Sequence, residues 1–199
     1  MDSSTPRPPV NKKHLRMYGH NLCPFAERTR LAFAAKGVKF QKVEVNLASK
    51  TQWHLDINGG TIPILETPEG KTAHDSLVLM EMAEEMFKDS GYHIYPTDHF
   101  EKANMKLATG KYLSPLQSQA TTFARSQCQD KEAQASLTAT LKNLEAFLGK
   151  SKTQFTFGTK DPQILDFQIY SILRQLILSE GKALDFCSAL NMRQYQKVV

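Results

Sequence analysis

Residues 21–40 read NLCPFAERTRLAFAAKGVKF, and how this run begins and ends decides the reading on either side of it. Pro24 suits a first helical position, where its missing N–H is not needed, and Gly37 stands just past a basic end, where helices stop. The run is therefore a helix over residues 24–36. Upstream, HLRMY (14–18) is a short strand, and downstream KFQKVEV (39–45) alternates with the period of a strand. TIPILE (61–66) and residues 71–74 flank the turn TPEG and make a hairpin. From Ser76 onward, Leu79, Met82, Ala83 and Met86 recur at helical spacing. The order is β-α-β, a connection, then β-β-α.

Beyond Gly91 strand signals largely disappear. GYHIYPTDH (91–99) reads as a linker. Leu137, Leu141, Leu144 and Leu148 form one helical face closed by Gly149, and Leu165, Ile169, Ile172, Leu173 and Leu176 form another. The expected organisation is a mobile, proline-bearing polar tail (1–13), an α/β domain (14–90), the linker, and an all-helical domain (100–199). No repeat or low-complexity stretch interrupts it.

The chain has 199 residues, 41% hydrophobic and 23% charged, an ordinary composition for a globular protein able to bury a sizeable core. No apolar run approaches the roughly 20 residues needed to span a bilayer, so a membrane is not an expected partner. The opening MDSSTPRPPVNKKH lacks the apolar centre of a secretion signal. Three cysteines, an odd and widely spaced set, speak against a disulfide framework and for a reducing, cytoplasmic compartment. The net charge of +5 is scattered, without a basic stripe interleaved with aromatics, and gives no ground for a nucleic-acid partner. His14, His20, His54, His74, His93 and His99 show no zinc spacing, and no metal site is expected. Cys128 and Cys187 read as packing residues.

Cys23 closes the strand-to-helix loop at the helix N-cap. Unpaired N–H groups and the helix dipole there favour a thiolate, a setting that can lower a thiol from its free value near ~8.5. Ala26 stands where a second cysteine would complete C-x-x-C, so a disulfide on Cys23 has no resolving neighbour and needs an external thiol. Ile62-Pro63 opens the third strand. With a cis bond it would turn the Ile62 backbone toward the cysteine loop, ready to pair with a peptide-like ligand. Asp75-Ser76 lies where the hairpin meets the next helix. Free N–H groups and a hydroxyl there suit a carboxylate, and Asp75 suits an ammonium group, although the dipeptide taken alone favours a plain N-cap pair.

NLCPFAERTRLAFAAKGVKF, VEVNLASKTQWHLDINGGTIPILE and EGKTAHDS resemble the glutathione-binding domain of omega-class glutathione transferases. The resemblance implies the fold of that family, a thioredoxin-like α/β N-terminal domain followed by an all-α C-terminal domain, and a homodimer. It implies that Cys23 is the catalytic cysteine and forms a mixed disulfide with glutathione, the cosubstrate. Phe25 would flank the site, Lys50 would take the glycine carboxylate, Ile62 would supply the backbone pair and Pro63 would be the cis proline. Asp75 and Ser76 would hold the γ-glutamyl head. The activity implied is thiol–disulfide exchange with a small disulfide or oxidised acceptor, including dehydroascorbate reduction. Two features depart from that pattern. Gln163 replaces the usual capping Ser or Thr paired with Asp166, so Asp161-Pro162 is expected to cap instead, and the segment over the second-substrate site would lie beyond Val199. Gly59-Gly60 resembles the chloride intracellular channel family, which keeps a channel-like protein as an alternative, beside a non-catalytic binder of apolar ligands.

Overall fold

The computed structural model describes residues 4–126 and 129–178. Cys128 and Cys187 lie outside them. The chain divides into two compact units, Met1–Tyr92 and His93–Val199.

In the first unit β1 (Leu15–Gly19), β2 (Phe40–Glu44), β3 (Ile64–Glu66) and β4 (Thr72–His74) form one sheet in the order β2-β1-β3-β4. β1 pairs parallel to β2 and antiparallel to β3, and β3 pairs antiparallel to β4. All of β1 is buried, including Arg16, which stands directly across from the buried Glu66. Arg16 Nη1 donates to Glu66 Oε2 at 3.0 Å, and the Tyr18 hydroxyl donates to the same oxygen at 3.1 Å. A charge in the central strand is thus matched by its cross-strand partner.

Helix α1 (Pro24–Ala35) buries Ala26, Thr29, Ala32 and Phe33. It ends as the glycine requires: Gly37 adopts φ 67°, its N–H donates to Ala34 O, and Val38 N–H donates to Phe33 O. Helix α3 (Ser76–Met86) buries Ser76, Leu79, Met80 and Ala83. The buried face is therefore turned from the one expected, and Met86 is 47% exposed. Between them lies α2 (Gln52–Asn58), in what the sequence presented only as a connection. Trp53 packs from α2 onto Tyr18, ring centres 5.2 Å apart.

The tail expected to be mobile is held at several points. Arg7 Nη2 donates to Glu66 Oε1 at 2.5 Å, Trp53 Nε1 to Thr5 O at 3.2 Å, and Arg16 Nη1 to Pro8 O at 3.3 Å. The cause is the second oxygen of Glu66, which attracts Arg7 once Arg16 and Tyr18 have taken the first.

In the second unit α4 (His99–Ala108) continues through a π turn (Thr109–Leu113) into α5 (Ser114–Arg125). Pro115 has no N–H to return to the preceding turn, and the wider π turn absorbs that loss. Helix α6 (Lys131–Leu148), capped by Asp130, buries Ala133, Leu137, Leu141 and Leu144. Helix α7 (Ile164–Leu178) is buried nearly all round, as befits a central helix. Its start differs from expectation. Asp161-Pro162 does not cap it. Gln163 precedes it and donates its N–H to Asp166 Oδ2 at 2.8 Å, while Asp166 Oδ1 accepts Thr156 N–H at 2.8 Å. Burial pushes the Asp166 carboxyl up despite these hydrogen bonds.

Candidate active site

Three chain segments meet at one end of the sheet in the first unit, and the register explains why. Tyr18 pairs with Ile64, so continuing that antiparallel register puts Pro63 opposite Gly19 and Ile62 opposite His20. Ile64 also pairs with His74, so β4 runs out at the same end and delivers Asp75 and Ser76 there. The loop from β1 to Cys23, the Ile62-Pro63 peptide and the start of α3 are therefore neighbours by topology.

Cys23 is the half-buried N-cap of α1. Its N–H donates to His20 O at 3.0 Å, which tightens the loop. His20 itself turns elsewhere: its Nδ1 accepts Leu22 N–H at 3.1 Å and its Nε2 lies 3.7 Å from Glu44. The thiol does not behave as the N-cap position alone suggests. Burial pushes Cys23 up from its ordinary value, and the Ala26 and Phe25 amides and the Arg30 and Arg28 guanidinium groups pull down without offsetting it. The expectation of a lowered thiol is thereby corrected, because desolvation of a thiolate outweighs the helix N-terminus. Ala26 is fully buried, and no other thiol among the described residues can resolve a disulfide on Cys23.

The Ile62–Pro63 bond is cis. The residue before it is fixed by α2: His54 Nε2 lies 2.8 Å from Thr61 O, Asn58 Nδ2 donates to that oxygen at 3.1 Å, and Thr61 N–H donates to Asn58 Oδ1 at 3.2 Å. Ile62 itself is half-buried against the cluster of Tyr18, Val45 and Ile64. Lys50 is exposed, and its stem lies over Gly60: a Cβ on Gly60 would fall 2.6 Å from Lys50 Cδ and 3.0 Å from Leu55 Cδ2. Gly60 is thus what lets the lysine lie close to the Ile62 segment.

Asp75 caps α3, with Oδ1 accepting Leu77 N–H at 2.9 Å and Val78 N–H at 3.3 Å. Two of the N–H groups expected to be free for a carboxylate are therefore taken. The Ser76 N–H and hydroxyl remain, together with Asp75 Oδ2. Asp75 holds φ 69°, ψ 119°, a backbone that non-glycine residues adopt only when their surroundings impose it.

Arg28 was not singled out from the sequence. It is 7% exposed, its Nε and Nη2 donate to Ser76 Oγ at 2.9 and 2.5 Å, and its Cζ stands 5.0 Å from the centre of the Phe25 ring. Burial lowers it to about 10, against the pull of Asp75 and Cys23. The only sequence signal was an arginine on the apolar side of α1, one turn beyond Phe25. No cluster of three or more potential metal ligands occurs among the described residues.

Comparison with known proteins gives, among others, four matches. Residues 22–86 match the family model "Glutathione S-transferase, N-terminal domain". The chain is 30% identical to glutathione S-transferase omega-1 of Rattus norvegicus over 178 residues, covering 87% of this chain and 71% of the relative. Among solved structures, glutathione transferase Omega 3C of Trametes versicolor superposes with TM-score 0.71 at 24% identity, covering 96% of this chain and 90% of that one. A trimeric glutathione transferase of Leishmania superposes with TM-score 0.72 at 22% identity, covering 93% of this chain and 45% of that one.

Proposed function

Because the chain belongs to the glutathione S-transferase family, and within it to the omega class, we propose that it is a thiol transferase and reductase working through a mixed disulfide on Cys23. The observation that carries the reading is the meeting of Cys23, the Ile62–cis-Pro63 peptide and the Asp75-Ser76 cap at one sheet end, with alanine where a resolving cysteine would stand. Glutathione lies across this end as an added strand. The Ile62 N–H and C=O pair with its cysteinyl backbone. Ser76 takes the α-carboxylate of the γ-glutamyl group and Asp75 its ammonium, Lys50 takes the glycine carboxylate, and Phe25 flanks the sulfur.

The reaction runs in two exchanges. The Cys23 thiolate attacks the glutathione sulfur of a mixed disulfide, forms Cys23–S–S–G and expels the other sulfur as a thiolate. A second glutathione thiolate attacks the Cys23–S–S–G bond, leaves as glutathione disulfide and returns the Cys23 thiolate. One free glutathione is thus consumed, and it leaves joined to the glutathionyl group that the mixed disulfide brought; with dehydroascorbate as acceptor two free glutathiones are consumed and supply two electrons and two protons. The raised thiol makes thiolate scarce at neutral pH but intrinsically more nucleophilic once formed. Conjugation to electrophiles is slow, because Cys23 competes with glutathione for the electrophile.

The same reading makes the protein a cytoplasmic homodimer, and sedimentation at micromolar concentration returns twice the chain mass. No helix among the described residues is long and apolar enough to cross a membrane. A cavity of about 530 Å³ in the second unit has a mixed lining, with Tyr95, Pro96 and Phe157 beside Thr97, Glu101 and Asn104.

Brief exposure to oxidised glutathione, followed by intact-mass and peptide mapping, tests the mechanism. One glutathione is expected, on Cys23, persisting until reduced glutathione is added. Cys23→Ala removes both the adduct and the reductase activity. Modification of another cysteine while Cys23 stays free overturns the mechanism.

A further inference from the structure

The first unit holds three buried cations, and two of them face a carboxylate. Arg16 pairs with Glu66 and Lys36 with Glu84, at 3.0 and 3.2 Å. Arg28, buried like them, takes part in no ion pair found among the described residues. Burying a guanidinium without an anion is costly, so its position calls for a reason beyond stability.

The hydrogen bonds of Arg28 supply one. Both of its donations go to a single oxygen, Ser76 Oγ. A serine hydroxyl has two acceptor lone pairs and one proton, and a guanidinium has only donors. The two N–H groups therefore occupy both lone pairs, and the Ser76 proton has to point away from Arg28. No acceptor for that proton occurs among the described residues. The Ser76 N–H, at the first position of α3, likewise has no acceptor within its helix. Two donors thus stand side by side, backed by a buried positive charge and next to the Asp75 carboxylate. That arrangement matches the carboxylate and ammonium of an amino-acid head group.

We propose that Arg28 is the positioning residue of the γ-glutamyl subsite: it locks the Ser76 hydroxyl as a donor and supplies the buried countercharge for the α-carboxylate of glutathione. This inference rests on the glutathione reading above. The carboxylate completes the ion pair that the free protein lacks, and it does so through Ser76 instead of by direct contact. Because the guanidinium of Arg28 also lies over the Phe25 ring, the same residue ties the γ-glutamyl end of the site to the cysteine loop.

The test is binding of S-methylglutathione, which cannot form a disulfide, and of its analogue with 4-aminobutyrate in place of γ-glutamate, which lacks only the α-carboxylate. Titration calorimetry on the wild-type protein is expected to give at least about tenfold tighter binding of the parent compound, the scale of a charge-assisted hydrogen bond. Arg28→Met and Ser76→Ala should each cut that preference to below about threefold, and the double variant should lose little more. Should Arg28→Met not fold, Arg28→Gln replaces it, since it removes both the charge and the two-N–H donation to one oxygen, and the same fall is expected. A preference that survives at position 28, or a wild-type protein with none, overturns the inference, as does an Arg28 variant that weakens both ligands equally. The Cys23 adduct is scored separately. An intact adduct without carboxylate preference sinks this inference and leaves the proposed function standing, whereas a missing adduct sinks the function while the preference still decides the role of Arg28.

Discussion

Replacing Asp75 by glycine separates the structural work of this residue from its work on ligand. Its backbone at φ 69°, ψ 119° costs about 1–3 kcal/mol in a residue with a Cβ, and glycine releases that strain. Against this, the cap on Leu77 and Val78 N–H is lost, worth about 1 kcal/mol, and glycine adds about 0.5–1 kcal/mol of chain entropy to the unfolded state. The terms nearly cancel, so the net change stays within about 1 kcal/mol. For a unit the size of Met1–Tyr92 that is a melting shift of no more than roughly 4–8 °C in either direction. Binding is another matter. The ammonium of the γ-glutamyl group loses its carboxylate, an interaction worth about 1.5–3 kcal/mol when shielded. Asp75 is exposed, so solvent screening sets the lower end, and the KM for glutathione rises about tenfold with turnover at saturation little changed. Asp75→Asn keeps the cap and tolerates the positive φ, so it isolates the charge and should give the same KM at wild-type stability. Thermal denaturation and steady-state kinetics on the three proteins decide it. Wild-type KM in Asp75→Asn, or a loss above about 3 kcal/mol in Asp75→Gly, would refute the reasoning.

Three further outcomes follow from the site and its support. Alkylation of Cys23 by iodoacetamide should rise with pH around a midpoint above that of a free thiol, about 8.5, because burial raises the group. By the same sign, the stability linked to this thiol is present below its unfolded value and falls as pH climbs through the folded one. A midpoint below the free value would mean that the helix N-terminus prevails after all. Lys50→Ala should raise the glutathione KM with little effect on saturated turnover, since it removes binding shared by ground and transition states, and an unchanged KM would return Lys50 to the solvated surface. Glu66→Ala should cost about 3–5 kcal/mol in urea unfolding, because it strands the buried Arg16. Arg7→Ala should cost less than about 1 kcal/mol, because that side chain is 36% exposed, and equal losses would contradict this division.

The strand-helix-strand and hairpin-helix order was legible because its punctuation is local: Pro24, Gly37, the TPEG turn and the Asp75 cap each act within a few residues. Helix α2 was not, since seven residues are too short for a periodic signal. Helices α4 and α5 were hidden for another reason. Their apolar residues do not follow burial: Phe100 and Leu107 are 83% and 70% exposed, while Pro115 looks like a break until the π turn accommodates it. Cys23, Lys50, Ile62, Pro63, Asp75 and Ser76 were legible as a set only through family resemblance; alone, the Asp75-Ser76 pair looked like a plain cap. Arg28 escaped because a lone arginine on a helix gives no sign that its partner stands 48 residues later. The direction of the Cys23 titration escaped too, since it turns on how much solvent the fold removes, a quantity absent from the sequence.

Gly59 and Gly60 share almost the same backbone, φ 71° and 74°, yet they answer to different masters. Open space surrounds a side chain at 59, whereas one at 60 would land on the stem of Lys50. Position 59 therefore excludes residues by conformation alone and can drift to asparagine. Position 60 is bound to position 50 as well. Among diverging copies of this chain, a side chain at 60 becomes admissible only where the residue at 50 has shortened or turned away, so the two positions should change as a compensating pair, linking a loop glycine to the length of a distant cationic arm.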